Sequence, residues 1–193
     1  MIKTKADLKY YLLCDKIARG EERERPRLIG DKLWKLQILY RKAEYHYNNR
    51  DKLAHKLAYI PVYWRFCRRR DGLCSELPLN VFGEGLAIWH GQNIIVNKEA
   101  KVGRNCSISA SCCIGSAHGA APVIGDNVEM SLGSKVLGGI KVADDVTIGA
   151  DALVLKDIDE AGTTWAGVPA RLISRNKNSY VAEKKERLKD ILR

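Results

Sequence analysis

His90 and His118 are the two side chains in the central part of this chain that can move a proton near neutral pH. Each stands where an otherwise regular pattern breaks. An imidazole within hydrogen-bond reach of a hydroxyl can take its proton as the oxygen attacks an electrophile, a contribution of typically about 10²–10⁴ in rate. The other two histidines, His46 and His55, fall in the basic first part of the chain and are expected on solvated helix faces.

The pattern that breaks is a period of six. Val96, Val102, Ile108 and Ile114 are spaced by six, and so are Ile124, Met130, Val136, Val142, Ile148 and Val154. Two residues before each of these anchors from Val102 onward, Ile124 excepted, comes a second inward candidate: Ala100, Cys106, Cys112, Val128, Ser134, Ile140, Val146 and Ala152. An α-helix cannot use a strict period of six, because about 3.6 residues per turn scatters such anchors round its surface. A flat side and a corner per unit, with three units to a coil, instead stacks the anchors in one buried column. Gly103, Gly115, Gly125 and Gly149 follow their anchors and are expected to supply unusual backbone angles at tight corners. Cys106 and Cys112 then pack inward, Cys113 faces out, and all six cysteines read as free thiols, since no C-x-x-C pair occurs.

The rhythm slips twice. Ile114 and Ile124 are ten residues apart, and the surplus falls in Ser116-Ala117-His118-Gly119-Ala120-Ala121. Phe82 and Val96 are fourteen apart, two more than two units, and that slip falls around Trp89-His90-Gly91-Gln92. If the two breaks meet between adjacent subunits, both imidazoles face one cleft.

The elements that must position them divide the chain into three zones: a helical region at 1–75, the repeats at 76–170, and a basic tail at 171–193. Periodicity predicts helices over 5–19, over 31–48 with Asp31 as N-cap, and over 51–67, interrupted at Pro61. Gly20 to Gly30 links the first two, and residues 180–193 read as a short basic amphipathic helix. The net charge of +10 is concentrated at the two ends, while the repeats carry more acids than bases. Arg68-Arg69-Arg70 lacks interleaved aromatics, so nucleic acid is not the expected partner. No apolar run of transmembrane length and no signal-peptide core occurs, which points to a cytoplasmic protein, with peripheral membrane attachment left open.

The repeats, together with Gly83-x-Gly85 ahead of His90, Ile148-Gly149-Ala150-Asp151-Ala152 and Ala166-Gly167-Val168-Pro169-Ala170-Arg171, resemble the serine acetyltransferase branch of the hexapeptide-repeat acyltransferases over about residues 78–174. The resemblance implies a mainly β fold, a left-handed parallel β-helix with an α-helical N-terminal domain and a short C-terminal helix. It implies a homotrimer with sites between subunits, a hexamer being less expected, and acetyl transfer from acetyl-CoA to a hydroxyl by direct attack, with His90 as base. His118 is then an acceptor-binding residue or a second base. Gly115, Leu132, Gly133, Gly149, Ala150 and Gly167 are expected to line a groove for the pantetheine arm, with Arg171 toward the phosphates. Amides near Gly115 are placed to hold the oxyanion.

Two departures bear on the acceptor. Ser75-Glu76-Leu77-Pro78 stands where the family carries Asp-Ile-His-Pro, leaving Glu76 as the candidate orienter of His90. Ala120-Ala121-Pro122 stands where the family carries Arg-His-Pro, and an apolar pair makes no charge-assisted bond to an amino-acid carboxylate. A sugar hydroxyl in surface polysaccharide is therefore the alternative acceptor. A metal-dependent reading needs three histidines for zinc and the repeats hold two, so no metal is expected.

Overall fold

The computed structural model describes residues 1–175 and 179–189. Helices α1 (Lys5–Ala18), α2 (Lys32–Tyr47) and α3 (Leu53–Asp71) come first, and α4 (Ser179–Leu188) comes last. Between them lie short strands, numbered along the chain, in three sheets. The first holds β1 (Ala87–Ile88), β4 (Ser107–Ile108), β7 (Glu129–Met130), β10 (Thr147–Ile148), β12 (Thr164–Ala166) and β13 (Arg171–Ser174). The second holds β2 (Ile95–Val96), β5 (Cys113–Gly115), β8 (Lys135–Leu137) and β11 (Leu153–Val154), and the third β3 (Lys101–Val102), β6 (Val123–Ile124) and β9 (Lys141–Val142).

Every pairing among β1 to β12 is parallel, and β1 to β11 visit the three sheets in turn. This is the parallel β-helix that the period of six requires. The anchors pair with one another, Ile108 with Met130, Val96 with Ile114 and Ile124 with Val142, and Ile88 of the first coil pairs with Ile108. All ten anchors and all eight residues of the second inward track are buried. β13 turns back antiparallel on β12, Ala166 opposite Arg171, and so ends the coil.

The glycines have a different role from the one expected. Gly103, Gly115, Gly125 and Gly149 are not among the residues with positive φ. They are glycines because neighbouring coils leave no room: a Cβ on Gly103 would lie 2.6 Å from the Gly125 carbonyl oxygen, and one on Gly115 2.8 Å from Leu137 Cδ2. The left-handed corner conformation falls instead to Asn93, Asn105, Asn127, Asp145 and Asp151, whose short polar side chains tolerate it better than most.

Two helix expectations are corrected. α3 continues through Pro61 to Asp71. The helix survives because Phe66 is fully buried and packs at a tilt against Tyr40 of α2, while Leu57, whose carbonyl loses its partner, is exposed to water. Asp31 occupies the N-cap position of α2 but makes no capping bond. Its carboxylate instead accepts from Arg23 Nη1 at 2.8 Å and the Arg27 amide at 2.7 Å, which ties down the linker. The start of α1 does carry a capping box, Thr4 and Asp7 each bonding the other's backbone amide.

The helices are bonded to the first coil by a buried ionic cluster. Arg41 donates to Asp15 Oδ2 at 2.7 Å, to Glu44 Oε2 at 3.0 Å, and to the carbonyls of Phe82 and Gly83 at 3.0 and 2.6 Å. Asp15 also accepts from the Leu86 amide, and Glu44 from the Asn80 amide. His46 and His55, expected in solvent, are partly buried against Tyr45 with their Nδ1 atoms 3.2 Å apart. Burial and the neighbouring His55 hold His46 below the usual imidazole range.

α4 packs on α1, with Leu188 buried beside Cys14, Ala18 and Ala87. Residues 190–193 of the predicted C-terminal helix lie outside the described residues. Lys184 is buried and donates to the Asn105 carbonyl at 2.9 Å and to Ser107 Oγ at 2.8 Å. Burial pulls its pKa down to about 8, from an ordinary value of 10.5. Between those two values the unfolded lysine holds a proton that the folded one lacks, so this residue adds stability as pH rises. The stability of the native chain minus that of Lys184→Met is therefore expected to grow from pH 8 to pH 10.5 in parallel denaturant titrations. A flat difference contradicts it.

Candidate active site

The register of the first sheet decides what His90 stands above. Ile88, Ile108, Met130, Ile148 and Trp165 pair across successive coils. Two residues further on, in the same order, are His90, Ala110, Leu132, Ala150 and Gly167. Asp151 and Leu153 donate back to the carbonyls of Leu132 and Gly167 at 2.8 and 3.0 Å, which keeps this edge of the prism in step. The imidazole thus shares one edge with three small residues and Leu132, about 4.8 Å per coil. His90 and Ala150 are exposed, and Leu132 is 51% exposed.

The backbone carrying His90 is held on both sides. Arg19 Nη1 donates to the Ile88 carbonyl at 2.6 Å, and Gln37 Nε2 to the Leu86 carbonyl at 2.6 Å. Beyond the imidazole, Ser75 Oγ donates to the Gly91 carbonyl at 2.7 Å and accepts from the Ile94 amide at 2.9 Å. A Cβ on Gly91 would lie 3.0 Å from Leu73 Cδ1 and closer still to Leu33 of α2. The helical region therefore packs directly against the histidine loop. Arg19 and Gln37 gave no signal in the sequence. Ser75 did, as the residue in place of the family's aspartate. Ser75→Ala strands a buried carbonyl and amide and is expected to cost about 1–3 kcal/mol in chemical denaturation.

His118 lies on a different edge. Ala117 and Ala120 exchange both backbone hydrogen bonds, at 3.0 and 3.1 Å, around a two-residue turn. His118 and Gly119 both have positive φ there, as a primed hairpin turn demands. Gly115 leads into this loop. Glu76 bridges to Ile95 and belongs to the outward track Glu76, Ile95, Cys113, Lys135, Leu153 of the second sheet. That face lies between the edge of His90 and the edge of His118. Within one chain, among the described residues, no hydrogen bond joins Glu76 to His90 and the two imidazoles do not meet. Arg171 lines a groove of about 570 Å³ at the last coil, with Trp165, Leu155 and Ala170. Among the described residues, no three His, Cys, Asp or Glu side chains are grouped to hold a metal ion.

The chain is 34% identical over 137 residues to a serine acetyltransferase of Synechococcus elongatus, covering 64% of this chain and 56% of that one. It is 32% identical over 162 residues to one of Buchnera aphidicola, covering 77% and 61%. By sequence and by fold, the chain resembles the serine acetyltransferases. A solved serine acetyltransferase in complex with CoA superposes with a TM-score of 0.67 at 22% identity, over 88% of this chain and 71% of that one. A serine O-acetyltransferase of Brucella melitensis superposes with a TM-score of 0.69 at 24% identity, over 89% and 69%. At those identities the likeness shows the fold, the hexapeptide β-helix with helices ahead of it. No protein-family profile matches the chain. It spans between 45% and 61% of the length of the serine acetyltransferases it matches in sequence.

Proposed function

We propose that this chain transfers the acetyl group of acetyl-CoA to a hydroxyl, with His90 as general base. The observation that carries the reading is the in-register edge that sets His90 at the head of Ala110, Leu132, Ala150 and Gly167. A pantetheine arm laid along these residues meets little side chain beyond the apolar Leu132 and brings its thioester toward the imidazole. Gly133 and Gly149 flank the same edge, and Arg171 is reserved for the phosphates. The acceptor oxygen attacks the thioester carbonyl carbon as His90 takes its proton. The tetrahedral intermediate then expels the thiolate, which recovers the proton from the imidazolium, giving an acetyl ester and free coenzyme A.

A trimer completes the site by bringing the edge of one subunit toward the Gly115–His118 edge of the next. There His118 meets the acceptor, amides near Gly115 hold the oxyanion, and Glu76 orients the base. Serine is the acceptor in the name the relatives carry. Ala120 and Ala121 favour a second reading for this chain, a sugar hydroxyl, because the loop presents no cation to an amino-acid carboxylate.

Coenzyme A release from acetyl-CoA, with serine set against a panel of sugars, tests both readings. Acceptor-dependent release is expected, and no transfer to any hydroxyl overturns the proposal. Ala150→Phe fills the edge one coil above Gly167 and is expected to raise KM for acetyl-CoA by about tenfold while kcat changes little, since uniform binding is what it removes.

A further inference from the structure

α3 has two apolar faces, and the fold uses one. Phe66 and Tyr63 pack toward α2. On the opposite side Leu53, Leu57, Ile60 and Trp64 recur at helical spacing and are 71%, 60%, 63% and 57% exposed. Four large apolar side chains in one unpartnered stripe exceed the scattered exposure of an ordinary surface. Cations border them. Arg68 lies over the Trp64 ring at 5.2 Å, and Lys56 and Arg65 are exposed on either flank. Beside the stripe a groove of about 740 Å³ adds Arg25, Lys35, Lys42 and Arg69, and no carboxylate lines it. The linker brings a second apolar element to the same side. Leu28 and Ile29 are 94% and 88% exposed, and Lys35 Nζ, on the groove wall, bonds the Leu28 carbonyl at 2.6 Å.

We propose that this face of the helical region docks on an anionic lipid bilayer. An apolar stripe with a tryptophan, edged by Lys and Arg, is the composition of a helix that lies in the plane of a membrane interface. The stripe and the linker tip enter the acyl boundary while the groove cations meet headgroup phosphates. Charge decides between this occupant and a second copy of the chain. A copy docked on this face about a two-fold axis would bring its own Arg65, Arg68 and Arg69 against the same cations, and such like-charge contact opposes pairing. Among the described residues no helix is long and apolar enough to cross a membrane, so the contact is peripheral.

The test is cosedimentation of the full chain with phosphatidylcholine vesicles, with and without phosphatidylglycerol, at low and raised salt. Binding is expected only with phosphatidylglycerol and should weaken as salt rises. Both Leu57→Glu/Ile60→Glu and Arg65→Glu/Arg68→Glu are expected to lower partitioning by about tenfold or more. These are surface positions, and circular dichroism checks that the variants fold. A blue shift of emission on binding that Trp64→Phe removes places the stripe in lipid. Equal binding to neutral vesicles, no binding, or full binding by Leu57→Glu/Ile60→Glu overturns the proposal. So does a fall in oligomer mass for that variant without lipid, which assigns the stripe to a second copy.

Discussion

His90→Asn is expected to leave the chain folded and to cut turnover by about 10²-fold or more, the lower bound for losing a general base. His90 is exposed at the outer corner of the first complete coil, and among the described residues its ring contributes no hydrogen bond to the fold. Its neighbours, by contrast, are fixed: Arg19 holds the carbonyl of Ile88 and Ser75 that of Gly91. The amide of asparagine has similar size but no basic nitrogen, so the loop should persist while proton transfer is lost. Melting temperature and oligomer mass should match the native chain while kcat falls and KM for acetyl-CoA stays. Native turnover removes His90 from the chemistry; a lowered melting temperature instead assigns it to packing.

The largest effect on stability is expected from Arg41→Met. The guanidinium is fully buried and serves two carboxylates and two carbonyls at once. Removing it leaves Asp15 and Glu44 charged in an apolar interior with the Phe82 and Gly83 carbonyls unpaired, a loss of about 3–5 kcal/mol. Asp15→Asn/Arg41→Met/Glu44→Gln removes the charges together and should cost less than Arg41→Met alone, because no buried ion is left without a partner. Urea titrations of the two variants read this directly. The consequence extends to the site, since the cluster bonds Leu86, whose carbonyl also accepts from Gln37 one residue before β1.

The β-helix was legible in the sequence because its rule is strict: one aliphatic every six residues, each forced inward by the stacking of coils. The same strictness located the loops of His90 and His118, since extra residues in a stacked coil can only bulge at a corner. Legibility failed at the ends. Leu77, Phe82 and Ile88 form the first coil at uneven spacing, and after Val154 the rows are closed by Ile158, four residues on, and by Trp165, seven beyond that. The glycines after the anchors were visible, but their reason was not, because close approach of the next coil and a left-handed corner leave the same residue in the sequence. The clamp on His90 was hidden altogether. Arg19, at the C-cap of α1, and Gln37, within α2, are polar residues whose partners are backbone carbonyls more than forty positions away, and no periodicity marks such a pair. Arg41 and Asp15 likewise read as ordinary surface charges until α1 and α2 are folded onto the first coil.

Hydrogen exchange of the full chain with and without acetyl-CoA tests the placement of the donor most directly. Protection is expected in peptides spanning Gly91, Leu132–Gly133, Gly149–Ala150 and Gly167, along the edge that His90 heads. Protection confined to the cationic groove between α2 and α3, with that edge unchanged, contradicts it.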